Sequence, residues 1–180
     1  MRRPRVTAFL ACSIDGYIAG PGDSLDFLRP YTVPDDDLGY GALFASADAM
    51  LIGRRTWETV CTFETWPYAG KRVLVRTHRP LEATHGEEKV QGSISEILAG
   101  LQDLTHVYVD GGRTVRDALA EGVVDRLTLT LVPEIVGGGV PLFETALPAS
   151  TWTRAAVRTR EDGTVQVTWR RAEPAAPTAR

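Results

Sequence analysis

Cysteine is scarce: Cys12 and Cys61 are the only two in 180 residues, and neither sits in a Cys-x-x-Cys pair or a zinc-ligand spacing. A disulfide framework and a cysteine-built metal centre are thereby excluded, and both thiols are expected to be reduced, small apolar side chains in a cytosolic setting. Long apolar runs are also missing. After Met-Arg-Arg, the stretch VTAFLACSIDG is interrupted at Asp15, too soon for a signal sequence or a membrane span. No run of Lys/Arg forms a patch, and a formal charge of −3 with a pI near 5.6 supplies no positive field for nucleic acid. His78, His85 and His106 show no metal-ligand spacing; no metal is expected, and the last two read as ordinary surface or strand-end residues.

What is present is an apolar fraction of 43% in a chain of one-domain length, without internal repeats. A single domain over 1–171 is expected, with a frayed tail over 172–180, and the partner class left standing is a small molecule. The stretch Thr105 to Phe143 organises the rest. Val107-Tyr108-Val109 is a short apolar run stopped by Asp110-Gly111-Gly112, as at the end of a buried strand. Thr114 is read as the cap of a helix with Val115, Ala118, Leu119 and Val123 inward. Two glycines between strand and helix admit either a tight turn that binds nothing or a close approach of an anion such as pyrophosphate to the helix start.

The other segments repeat this alternation. Val6 to Ile14 reads as a first, central strand, with Asp15-Gly16 as its turn. Pro34 followed by Asp35, Asp36 and Asp37 reads as a helix start running through Leu38, Leu43 and Phe44. Ala49 to Ile52 is an interior strand ending at Gly53, and Arg54 to Glu58 opens a helix. Arg72 to Val75 is a further strand, Glu82 to Lys89 an exposed polar segment, and Ser93 with Glu96 a capping box. Trp152 to Val157 and Val165 to Arg171 alternate as a hairpin around Glu161-Asp162-Gly163. The fold class expected is α/β: a three-layer sandwich, its mainly parallel sheet flanked by helices and closed by a C-terminal antiparallel hairpin. Trp152, Val165, Val167 and Trp169 give that hairpin an apolar edge, from which a homodimer is expected.

Three turns then follow strands of one sheet: Gly53-Arg54-Arg55-Thr56, Thr77-His78-Arg79 and Gly111-Gly112-Arg113-Thr114. Ligands of open α/β sheets collect at the strands' carboxyl ends, and a helix start with hydroxyls and guanidinium forks suits a dinucleotide with an extra ribose phosphate, so NADPH is the cofactor expected. The long glycine fingerprint of a Rossmann domain is absent.

The segments SIDGYIAG, ADAMLIGRRTWE, VYVDGGRT and VDRLTLTLVPEIVGGGVPLF closely resemble the dihydrofolate-reductase-like superfamily, in particular the branch holding the reductase domain of riboflavin biosynthesis. The resemblance runs from Val6 to about Arg171. It implies that Gly53, Arg54, Arg55 and Thr56 hold cofactor phosphates and that Thr77, His78 and Arg79 surround the adenosine ribose and its 2′-phosphate. Gly111, Gly112, Arg113 and Thr114 would pass beneath the pyrophosphate and nicotinamide, with Ala11, Ile18 and Ala19 beside the ring.

The family's substrate carboxylate, counted back from Gly53, falls on Asp37. That residue is either a helix-dipole partner or, if its pocket is apolar, a carboxyl of raised pKa that relays a proton. Thr130 is placed beside that site and Trp66-Pro67 at the substrate mouth. Thr32 stands where a folate reductase carries tryptophan, and Gly137-Gly138-Gly139 replace its Gly-Asp pair, so the glycine loop is more similar to the riboflavin-pathway reductases. The zinc motifs of the companion deaminase are missing. The resemblance implies NADPH-dependent hydride transfer to a C=N or C=O of a small heterocycle of pterin or pyrimidine type. A true dihydrofolate reductase, or a non-catalytic nucleotide-binding dimer on the same scaffold, are the alternatives.

Overall fold

The computed structural model describes residues 3–143 and 147–172. In chain order its elements are β1 (Arg5–Ser13), β2 (Tyr17–Ala19), α1 (Tyr40–Ser46), β3 (Ala49–Gly53), α2 (Arg54–Val60), β4 (Arg72–Arg76), β5 (Glu88–Val90), α3 (Ile94–Ala99), β6 (His106–Asp110), α4 (Gly112–Ala120), β7 (Arg126–Val132), β8 (Val140–Pro141), β9 (Trp152–Thr159) and β10 (Val165–Arg171). One eight-stranded sheet has the order β5-β4-β3-β6-β1-β7-β10-β9, and β2 pairs with β8 apart from it. The first six strands of that order are parallel, while β10 runs antiparallel to β7 and β9 to β10. The expected α/β sandwich with a closing hairpin is therefore the observed fold.

Alternation along the strands divides the core in two. Leu51, Leu74, Val107 and Val109 point toward α3 and α4, where Ile94, Ile97, Leu98, Val115, Ala118 and Leu119 meet them. Met50, Ile52, Val73, Val75 and Tyr108 point the other way, against Trp57 and Val60 of α2 and Tyr40 and Phe44 of α1. Ala49 to Ile52 have no exposed surface, as strands covered on both faces require.

Several local expectations are corrected. The helix expected from Pro34 begins only at Tyr40, after Gly39 at φ 90°, with Asp35 and Leu38 also at positive φ. Asp36 Oδ1 accepts from the Leu38 amide at 3.1 Å and Asp37 Oδ1 from Gly39 at 2.7 Å, so the aspartates close their own turns in competition with a helix. Thr114 is not a cap. The helix starts at Gly112 behind Gly111, and Thr114 is a buried third residue. Nor is the whole segment before β5 exposed: Glu87 is buried, accepting the Trp57 indole N–H at 2.8 Å and the His85 amide at 2.7 Å. His106 is buried as well, with Nε2 2.9 Å from Thr7 Oγ1.

Val165, Val167 and Trp169 belong to β10, inside the sheet; the edge is β9, largely exposed. Cys12 is buried but Cys61 is exposed. Ala172 still donates to the Thr151 carbonyl at 2.9 Å, and the remainder of the expected tail, 173–180, lies outside the described residues. Among the described residues no helix is long and apolar enough to cross a membrane.

The capping box at α3 is present: Ser93 Oγ accepts from the Glu96 amide at 3.1 Å and Glu96 Oε2 from the Ser93 amide at 2.8 Å. Glu121, at the end of α4, adds a second clamp by accepting the Ile94 and Ser95 amides at 2.8 and 2.7 Å. Replacing Ser93 by Ala is expected to cost about 1 kcal/mol and to lower Tm by roughly 2–4 °C in a thermal melt.

Candidate active site

The chain lays β3, β4 and β5 outward from the centre and then returns to place β6 between β3 and β1. The carboxyl ends of β4, β3, β6 and β1 are therefore neighbours, and the turns that leave them share one crevice. Two of these turns interlock. A Cβ on Gly53 would fall 2.8 Å from Thr114 Oγ1, and one on Gly111, at φ +88°, would collide with Thr56 Oγ1. Each turn thus supplies a bare glycine to the other's threonine. The first-turn amides of α4 have no intrahelical acceptors, as at any helix start. Of the expected residues, Gly53, Thr56, Gly111, Gly112 and Thr114 are brought together, with Arg113 exposed at the rim.

Arg54 and Arg79 meet on one carboxylate. Arg54 Nε donates to Glu58 Oε1 at 2.7 Å, and Arg79 Nη2 to the same oxygen at 3.4 Å. Arg54 is further held by the Pro80 carbonyl at 2.5 Å and lies 4.9 Å from the Trp57 ring centroid. Trp57 is in turn anchored by buried Glu87. Burial pushes that carboxyl up, but the Trp57 indole and the His85 amide outweigh it and keep it below its ordinary range. Thr77 is buried and accepts the Arg79 amide at 3.2 Å, whereas His78 is exposed. Arg55 turns away from this cluster and pairs with Asp23.

β2 and β8 form a ribbon over the Gly111-Gly112 turn. A Cβ on Gly112 would collide with Ile18 Cδ1, so Ile18 rests directly on that glycine. Gly139 lies equally close to the Ala19 carbonyl. Asp15 does more than turn the chain: its carboxylate accepts from the Val136 and Gly137 amides at 3.1 and 2.8 Å and from Ser13 Oγ at 2.6 Å, which lowers its pKa, the Ser13 bond most. Arg116 of α4 donates to the Pro141 carbonyl at 2.6 Å.

Asp110, at the end of β6, brings a carboxyl group to this crevice. It shares a sheet face with Tyr108, and its Oδ1 accepts the Gly111 amide at 2.7 Å. The residue keeps some solvent contact, yet protein crowds its carboxyl: burial raises the pKa, against the opposing pull of the Gly111 amide and the Tyr68 and Tyr108 hydroxyls. Asp110 in return raises the pKa of Tyr40, to about 12, although burial is the larger cause there. Trp66 closes the outer side, edge-on to Tyr68 at 5.4 Å and stacked on His85 at 4.3 Å.

Asp37 is corrected. It is exposed, and its carboxylate accepts the Gly41 and Gly39 amides at 2.7 Å each, which lower its pKa rather than raise it. It borders a separate hollow of about 450 Å³ that Tyr31, Asp35 and Arg160 also line. Of the two roles open to Asp37, the structure shows the helix-start one, and its pKa shifts opposite to the rise a proton relay would use. Ala11 lies opposite Thr130 in the register of β1 with β7, and the buried Thr130 hydroxyl accepts from Gln166 Nε2 at 3.0 Å.

This architecture is that of the dihydrofolate-reductase-like α/β proteins. The chain belongs to the family of the RibD C-terminal domain, whose model matches residues 4–166. It is 28% identical over 146 residues to the uncharacterized protein YwjB of Bacillus subtilis (strain 168), covering 77% of this chain and 82% of that one. A crystal structure of a proposed riboflavin biosynthesis protein from Shewanella sp. PV-4 superimposes with a TM-score of 0.86 and 32% identity, covering 94% and 99% of the two chains. Dihydrofolate reductase from Enterococcus faecalis, complexed with NADP(H) and RAB-propyl, shares the fold with a TM-score of 0.68 and 20% identity over 94% and 97%. The family is shown by the model match, and the likeness to the reductase is one of fold.

Asp110 makes this site's ionisation legible in stability. Its folded pKa is raised, so its contribution is full below the unfolded value of about 3.9 and is lost as pH rises through the folded value. Asp110→Asn escapes that loss. The variant's Tm relative to wild type is expected to climb as pH rises from about 3.9 through the raised folded value; a flat difference in melts above pH of about 3.9 would contradict the assignment.

Proposed function

We propose that the protein is an NADPH-dependent reductase that delivers hydride to a C=N or C=O of a small heterocycle of pyrimidine or pterin type. The observation that carries this reading is the interlocked pair of glycine turns with the Arg54–Arg79 cluster at its side and the Asp110 carboxyl beneath. The fit is chemical. The first-turn amides of α4, which have no intrahelical acceptors, suit a pyrophosphate, and two guanidinium groups suit a ribose phosphate. Gly53, Thr56, Gly111, Gly112 and Thr114 would hold the pyrophosphate, Arg54 and Arg79 with Thr77 the 2′-phosphate, and Ala11, Ile18 and Ala19 the nicotinamide.

When bound, NADPH supplies the hydride. Burial raises the Asp110 pKa, which favours its protonated form, and that form would give its proton to the substrate nitrogen or oxygen as the adjacent carbon is reduced. Tyr68 and Trp66 wall the substrate side, and Ile18 must leave Gly112 for the ring to enter. We further infer that two copies pair along the exposed β9 edge, beside which Trp152 borders an apolar hollow of about 330 Å³ that Leu127, Leu129 and Trp169 line from the sheet. Light scattering that finds only monomer would end that inference.

Arg54→Ala and Arg79→Ala are each expected to weaken NADPH roughly tenfold while leaving NADH nearly unchanged in a titration. Equal losses for both nucleotides would reject the 2′-phosphate assignment. Asp110→Asn is expected to lower kcat by about a hundredfold in an assay of NADPH oxidation with pyrimidine and pterin substrates, at unaltered NADPH affinity. Undiminished turnover would remove Asp110 from the chemistry.

A further inference from the structure

The ligands of a phosphate site are ordinarily free to receive it, but here one acidic side chain already occupies them. Glu58 Oε1 takes the Nε hydrogen of Arg54 at 2.7 Å and an Nη2 hydrogen of Arg79 at 3.4 Å. The Arg54 bond foremost, with the charges of Arg54, Arg79 and Arg55, holds the Glu58 pKa below its ordinary range. The carboxylate is therefore ionised at neutral pH, at the place where a second anion has to arrive.

We propose that Glu58 is an internal competitor for the cofactor's 2′-phosphate, a residue that sets how strongly the site prefers a phosphorylated over an unphosphorylated dinucleotide. The inference rests on the nucleotide reading given above. Glu58 faces solvent from α2, one turn after Arg54, so a side-chain rotation suffices to clear it. It is not what positions Arg54. That guanidinium is held independently by the Pro80 carbonyl at 2.5 Å and by the Trp57 ring, and Trp57 by Glu87 at 2.8 Å. Removing the Glu58 charge accordingly leaves the Arg54 fork in place and releases its donors, as well as those of Arg79. A 2′-phosphate then meets the Arg54 and Arg79 donors that Glu58 had occupied, and no like charge. A 2′-hydroxyl, which carries no charge, gains nothing.

The test is titration of NADPH and of NADH into the full-length wild type, Glu58→Gln and Glu58→Ala, followed by calorimetry. Both variants are expected to bind NADPH roughly threefold to tenfold more tightly than wild type and NADH equally well. If the wild type prefers NADPH but the variants bind it no better, or less well, the competitor role is overturned while the cofactor assignment stands. A parallel gain for NADH also overturns it, since the effect would not depend on the 2′-phosphate. A wild type that binds neither nucleotide overturns both.

Discussion

The contact of two glycine turns is what the rest of the crevice depends on. Gly53 must lack a side chain because Thr114 occupies the space beside it, and Gly111 because Thr56 does. This reciprocal fit brings α2 and α4, whose starts are far apart in sequence, to one line of strand ends. It is possible only because β6 returns to lie between β3 and β1. Any β-carbon at Gly111 would meet both the threonine hydroxyl and a backbone at φ +88°, so sterics and conformation impose glycine together.

Around this contact, charge is arranged in two contrasting settings. On the outer side, arginines are splinted by groups that are themselves fixed: buried Glu87 holds the Trp57 indole, and the Trp57 ring supports Arg54. On the inner side, Asp110 stands beside the Tyr68 and Tyr108 hydroxyls, and burial drives it toward its neutral form. One end of the crevice is thus suited to attracting a permanent anion and the other to storing a proton. The reductase proposed above would need both, because hydride and proton reach the substrate separately.

Much of the fold was legible because period and punctuation agree. Ala49 to Ile52 and Val107 to Val109 are uninterrupted apolar runs stopped by glycine or Asp-Gly, and both are buried interior strands. Ser93 and Glu96 stood at capping-box spacing and form one. The failures fall where a local rule met a stronger competitor. Asp35, Asp36 and Asp37 look like a helix start, but their side chains capture nearby amides and hold the chain in turns until Gly39. Thr114 looked like a cap, yet Gly111 makes the strand-to-helix corner unaided. The burial of the Glu87 and Asp110 carboxyls is set by side chains distant in sequence, which pattern alone does not show. An aspartate at the end of an apolar strand, just before Gly-Gly, was nonetheless a signal available to reading. So was the spacing of Arg54 and Glu58, four apart on one helix.

The polarity of the sheet has a further consequence. β1 enters at the amino ends of the parallel strands, and β10, running against β7, finishes at that same end, where Arg170 lies opposite Arg126. The crevice is at the other pole. A fusion partner or an immobilising surface joined before Arg5 or beyond Ala172 would therefore start from the far side of the molecule, leaving the mouth between the glycine corners open to diffusing ligands.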